Sequence, residues 1–285
     1  MKTCIVLEGG AMRGIYTAGV LDELIKEDIK IDAMIGVSMG SLVGVNYLSN
    51  QPKRALRYNL KYCNDKRYMS LNSLLKTGDL VNKQFAYYDI PDELDKFDYE
   101  TCNKSKIKFY CTVTNLDTGK AEYINIKDFR KELDVLRAGA SMPGVSKIVE
   151  INNQKYLDGG IADSIPVKEA LKMGYDKVIV VLTRPIEYRK KDSNLKSLQW
   201  IYRKYPHFKE TISNRNSNYN KTVEEILKLE KEGKIFVIRP SIGLPIKRIE
   251  KDKDMIQKQY DLGIKDFKER LPELRKYLNS KSKRK

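Results

Sequence analysis

The chain has 285 residues, 41% of them hydrophobic and 32% charged, with a formal net charge of +16 at pH 7. A folded chain of this size buries roughly three quarters of its unfolded surface, and this composition excludes a fibrous or wholly disordered protein. No stretch approaches the ~18 uninterrupted apolar residues of a membrane span, and Cys4, Cys63, Cys102 and Cys111 have neither zinc nor disulfide spacing.

Read in chain order, the first half alternates strand and helix, the pattern of a mainly parallel sheet covered by helices. Residues 3–7 are expected as a strand, too close to Met1 for a signal peptide, and with the scattered cysteines this predicts a cytoplasmic, reducing setting. A helix follows over 13–27, then a strand over 31–37 and a helix over 38–48. Residues 53–100 are polar and mostly helical, with Tyr58, Tyr62, Tyr68, Tyr87 and Tyr88 among lysines. Strands are predicted at 106–114 and 121–126, joined by a hairpin turn at Leu116-Asp117-Thr118-Gly119. Asp128 is placed as the cap of a helix to about Arg137, and 155–157 as a short strand. Asp163 or Ser164 is expected to cap the next helix, with Pro166 in its first turn and Gly174 at its end. Val178–Leu182 reads as a strand buried on both faces. Residues 184–220 are predicted irregular, 222–231 helical, and 235–238 a last strand; Gly263 and Pro272 interrupt a helical pattern over 252–278. One domain over 1–280 is expected, with a core at 3–183, a helical elaboration at 184–280 and a disordered basic tail at 281–285.

Two glycine-flanked motifs carry the chemistry. Gly36-Val37-Ser38-Met39-Gly40 lies between a strand and a helix, the context of a nucleophile elbow. Gly36 and Gly40 let the two backbones approach, and the helix N-terminus favours developing negative charge near Ser38. Gly9-Gly10-Ala11-Met12-Arg13-Gly14 offers backbone N–H groups at another helix start, an arrangement suited to an oxyanion. A dinucleotide-binding reading of this loop fails, because Ala11 replaces the middle glycine and Asp32 begins the second strand instead of ending it.

The base is the remaining problem. His207 is the single histidine, and a Ser38–Asp158–His207 triad is formally available, yet His207 stands beside Pro206 in a polar segment far from any strand. Asp158 is the better base: it ends a strand, and Gly159 and Gly160 let its carboxylate approach the elbow. Burial would raise its pKa and make it a stronger proton acceptor.

These three motifs, together with Ala140-Ser141-Met142-Pro143-Gly144-Val145, resemble the patatin-like phospholipase family in order and spacing over residues 3 to about 183. The resemblance implies a three-layer α/β/α fold and acyl-ester hydrolysis of phospholipids or related lipids without a metal or other cofactor. By position, Ser38 would be the nucleophile and Asp158 the general base, with the Gly9–Arg13 amides as the oxyanion hole. Ala11 departs from the glycine common there, at about 1 kcal/mol if that backbone needs positive φ.

The alternative is a non-catalytic lipid-binding or regulatory protein that retains the pocket. The basic charge has two readings, attraction to anionic surfaces and a solvated lysine-rich exterior, and the second is preferred. No nucleic-acid motif accompanies it, so the expected partners are a lipid or acyl-ester substrate and peripheral contact with an anionic membrane surface. The oligomeric state stays open.

Overall fold

The computed structural model describes residues 1–191 and 196–281. In chain order it contains β1 (Thr3–Leu7), α1 (Ile15–Lys26), β2 (Ala33–Val37), α2 (Met39–Leu48), α3 (Arg54–Tyr62), α4 (Leu71–Thr77) and α5 (Tyr99–Lys104). There follow β3 (Lys108–Asn115), β4 (Ala121–Ile126), α6 (Leu133–Gly139), β5 (Val149–Ile151), β6 (Gln154–Asp158), α7 (Val167–Lys172) and β7 (Lys177–Val181). The last elements are α8 (Lys196–Ile201), α9 (Pro206–Lys231), β8 (Phe236–Ile238) and α10 (Lys253–Asn279).

The strands form one eight-stranded sheet in the order β5-β6-β3-β2-β1-β7-β8, with β4 also paired to β3. The run β3-β2-β1-β7-β8 is parallel, and β4, β5 and β6 are antiparallel additions. Side chains alternate across the strands: Ile5, Leu7 and Met34 join the core under α1, α2 and α10, whereas Cys4, Val6 and Ile35 join the core under α7 and α9. Helices on both faces make this a three-layer α/β/α fold.

One exchange of partners matters for the site. The edge of β3 that pairs with β2 over Lys108–Thr112 passes to β6 from Val113 onward. Thr112 faces Val37 and Val113 faces Asp158, so β6 continues where β2 stops, and Asp158 arrives beside the residue after Val37.

Several local expectations are corrected. Asp128 caps a tight turn, accepting from the Arg130 and Lys131 amides, and α6 starts later, at Leu133. Neither Asp163 nor Ser164 caps α7: Pro166 is the N-cap, Asp163 accepts from the Ile165 amide, and Ser164 Oγ donates to the Gly160 carbonyl. β5 escaped prediction because three residues carry too little alternation to read.

The segment 206–220 is helical, not irregular, as the first half of the continuous α9. Phe208, Ile212, Tyr219, Val223 and Ile226 form its buried stripe, and that packing overrides the weak propensity of the intervening Asn and Ser residues. Helix α10 likewise runs unbroken through Gly263 and Pro272. Gly263 is required there: a Cβ would lie 2.2 Å from the Tyr16 carbonyl oxygen of α1, and one at Gly19 would lie 2.3 Å from that of Tyr260. This reciprocal glycine contact lets α1 and α10 touch through their backbones. No described helix is long and apolar enough to cross a membrane. The four cysteines are separate buried thiols. The predicted basic tail falls outside the described residues from 282 onward.

Candidate active site

Ser38 occupies the single residue between β2 and α2, with φ +52° and ψ −123°, a conformation that L-residues seldom adopt. The flanking glycines explain how the chain tolerates it. A Cβ on Gly36 would lie 2.6 Å from Ser41 Cα, and one on Gly40 would lie 2.6 Å from the Leu7 carbonyl oxygen. Side chains at either position would force α2 away from the sheet.

The Ser38 Oγ donates to Asp158 Oδ2 at 2.6 Å. The other carboxylate oxygen, Oδ1, accepts the Gly160 amide at 2.7 Å, so the group is clamped from both sides. The backbone of Asp158 is fixed too, through its amide to the Ser141 carbonyl at 2.8 Å and its carbonyl to Thr114 Oγ1 at 2.8 Å. Gly159 lets the turn lie flat on β3, where a Cβ would meet the Thr112 carbonyl oxygen at 2.2 Å. Asp158 is 1% exposed. Burial pushes its carboxyl pKa up, opposed by the Ser38 hydroxyl, the Arg215 charge, the Gly160 amide and Lys190.

The Gly9–Gly14 loop adjoins the serine: a Cβ on Gly9 would lie 3.2 Å from that of Ser38. Its amides are not equivalent. Gly9 donates to the Ser164 carbonyl, Met12 to the Arg248 carbonyl and Arg13 to the Gly10 carbonyl. The Gly10 and Ala11 amides have no protein acceptor among the described residues. Ala11 has φ +49°, the strained geometry at which a glycine would be cheaper. Met12 is buried, and Gly14 lies against Met39 outside the cavity lining.

Glu8 supports the loop from below and was not singled out from the sequence. It is 2% exposed and accepts from the Thr183 amide, Thr183 Oγ1 and the Tyr219 hydroxyl. Burial raises its pKa against those hydrogen bonds.

Ser38, Asp158 and residues 9–13 line a cavity of about 730 Å³. Leu42, Val45, Ile90, Phe129, Leu133 and Leu136 contribute an apolar wall. Arg13, Arg184, Lys190, Arg215 and Arg248 line it as well. The Arg215 Nε donates to the Gly160 carbonyl at 2.8 Å, and Lys190 Nζ lies 3.4 Å from Ser164 Oγ. None of Arg184, Lys190, Arg215 and Arg248 was foreseen as a site residue, because the chain beyond 185 holds no transferable motif; the only available signal was the apolar stripe that sets α9. His207 is exposed in the first turn of α9 and does not line the cavity. Among the described residues no cluster of three or more His, Cys, Asp or Glu side chains could hold a metal.

A family model described as "Patatin-like phospholipase" matches residues 5–171, and one described as "Domain of unknown function (DUF6363)" matches 205–279. The chain is 29% identical over 198 residues to the uncharacterized protein YjjU of Escherichia coli, a match covering 65% of this chain and 52% of that protein. It is 27% identical over 183 residues to Lysophospholipase NTE1 of Saccharomyces cerevisiae, covering 62% of this chain and 10% of the yeast protein. A similar protein of the same name from Candida albicans is 30% identical over 181 residues, covering 62% of this chain and 13% of its own length. The chain thus spans about half of the bacterial relative and about a tenth of the fungal ones.

Proposed function

The chain belongs to the patatin-like phospholipase family, and from that premise we propose that it is a serine acyl-ester hydrolase working through a Ser38–Asp158 dyad, of phospholipase A or lysophospholipase type. The observation that carries the reading is the 2.6 Å hydrogen bond from Ser38 Oγ to a buried Asp158 carboxylate on the wall of an apolar cavity.

Asp158 takes the hydroxyl proton as Ser38 Oγ attacks the ester carbonyl carbon. The Gly10 and Ala11 amides, unengaged by other described groups, donate to the oxyanion; one such donor is typically worth 10²–10³ in turnover. The carbon–oxygen bond to the alcohol then breaks, and Asp158 returns its proton to the leaving oxygen. In the second half Asp158 deprotonates water, which attacks the acyl-enzyme, and the fatty acid departs as Ser38 recovers its proton. The acyl chain lies along Leu42, Ile90, Phe129 and Leu136.

The fungal relatives bear the name lysophospholipase, which supports a lipid acyl ester as substrate. The +16 charge and the exposed Leu71, Leu75 and Trp200 support peripheral contact with an anionic lipid surface from a cytoplasmic setting. Hydrolysis of a lysophospholipid by wild type and its loss in Ser38→Ala test the reading. Acyl-chain binding with no turnover by wild type would favour a lipid-binding protein instead.

A further inference from the structure

The cavity that holds Ser38 is not apolar along its whole length. Tyr58, Tyr68 and Tyr87 also line it, each less than a tenth exposed. The rings of Tyr58 and Tyr68 meet edge to face with centroids 6.4 Å apart. Both hydroxyls are engaged: Tyr68 donates to Asn59 Oδ1 at 3.2 Å, and Tyr58 is hydrogen-bonded to the same Asn59 side chain.

Tyr87 differs from its two neighbours. Its hydroxyl has no hydrogen-bond partner among the described residues. The Tyr62 hydroxyl is also unpartnered but is sealed in the core, whereas that of Tyr87 opens onto the cavity. Tyr87 belongs to the π-helical segment Phe85–Leu94, a rare winding that is frequent at functional sites. The Arg137 and Asp158 charges both act on its hydroxyl, so it lies within electrostatic range of the dyad.

A hydrocarbon chain that fills this cavity leaves the Tyr87 hydroxyl dry and unpaired, which opposes binding. A chain with an oxygen atom at that depth pairs it instead. Burial keeps the phenol protonated, so it can donate to a carbonyl or hydroxyl oxygen and accept from a hydroxyl. Arg54 also lines the cavity, but it is committed to Asp95 at 3.2 Å and to Asn46 Oδ1 at 3.2 Å. The tyrosine cluster therefore suits a neutral oxygen function better than a carboxylate.

We propose that the Tyr87 hydroxyl is a hydrogen-bonding subsite within the acyl-binding part of the cavity. The preferred acyl groups then carry a hydroxyl or another neutral oxygen function part-way along the chain. The proposal rests on the hydrolase reading and specifies the acid half of its substrate. A site built to pair a buried polar group discriminates against the analogue that lacks it.

The test is calorimetric binding to the full chain carrying Ser38→Ala, which keeps the cavity and removes the nucleophile. The probes are a dodecanoyl monoglyceride and its isomers with one hydroxyl moved along the chain, titrated below their aggregation threshold. One isomer is expected to bind at least about fivefold more tightly than the unsubstituted lipid. Isomers with the hydroxyl at other depths should bind more weakly than the unsubstituted lipid, because that hydroxyl is buried unpaired. Adding Tyr87→Phe should bring the favoured isomer to equal or weaker affinity than the unsubstituted lipid. A ratio taken within one variant cancels any general weakening of the cavity. Overturning results are a panel in which no isomer exceeds the unsubstituted lipid, and a preference that survives Tyr87→Phe. The first of these needs no change at Tyr87, so it decides even if that variant fails to fold. Wild-type hydrolysis of the same panel separates the two readings. Preference without turnover removes the hydrolase and keeps the subsite, and turnover without preference does the reverse.

Discussion

Arg215 Nε donates to the carbonyl oxygen of Gly160 at 2.8 Å, so a helix in the last third of the chain holds the turn that carries Asp158. The same guanidinium lowers the Asp158 pKa against the burial that raises it. In the proposed scheme Arg215 is therefore a positioning residue, acting through the base without touching the ester.

Replacing Arg215 with Gln should lower kcat/KM by roughly 10- to 100-fold at neutral pH, within the range of general-base effects. Without the guanidinium charge, the carboxyl ionises at higher pH, so the acid limb of the kcat/KM profile should move upward. Arg215→Lys, which keeps the charge, should bring the limb part of the way back. A purely structural role would lower activity without moving the limb.

Asp158→Asn should raise the melting temperature at neutral pH. The folded carboxyl has a raised pKa, so ionising it costs the native state more than the unfolded one. Wild type therefore loses this stability as pH rises from the ordinary carboxylate range through the raised folded value. The asparagine variant lacks that loss. Thermal unfolding across pH should show the two curves converging in acid, below the unfolded carboxylate pKa, and separating above it.

Glu8→Ala removes the acceptor of the Thr183 amide, Thr183 Oγ1 and the Tyr219 hydroxyl, and buried donors left unpaired cost about 1–3 kcal/mol. Urea unfolding should register that loss. Activity should fall as well, because Glu8 directly precedes the Gly9–Gly10 backbone beside Ser38.

Gly263→Ala should destabilise the fold, although alanine is the better helix former by about 1 kcal/mol. The added Cβ would stand 2.2 Å from the Tyr16 carbonyl oxygen, so α10 must move off α1, and overpacking of this kind costs about 1–3 kcal/mol or more. A lower urea midpoint checks the claim, and an unchanged one would mean the helices separate freely.

What could be read from sequence follows from where the signal was local. The Gly36–Gly40 elbow, the Gly9–Gly14 loop and Asp158-Gly159-Gly160 announce themselves because each needs backbone without side chains at fixed spacing. The α/β alternation was legible for the same reason, since β1, β2 and β7 are short apolar runs between amphipathic stretches. The cationic wall was not legible. Arg215 sits in Ser213-Asn214-Arg215-Asn216-Ser217-Asn218, a run whose side chains compete for the backbone and disguise the helix. Only tertiary burial of Phe208, Ile212 and Tyr219 fixes α9, and only that helix aims Arg215 at Gly160. Glu8 was overlooked because its partners, Thr183 and Tyr219, are remote in sequence.

The central claim is that Ser38 and Asp158 do the chemistry without His207. It is tested most directly by hydrolysis of a short-chain chromogenic ester by wild type, Ser38→Ala, Asp158→Asn and His207→Ala, measured in parallel. The account predicts losses of about 10³-fold or more in the first two variants and activity within about twofold of wild type in the third, since His207 lies outside the cavity lining. Full activity in Asp158→Asn, or its loss in His207→Ala, would contradict it.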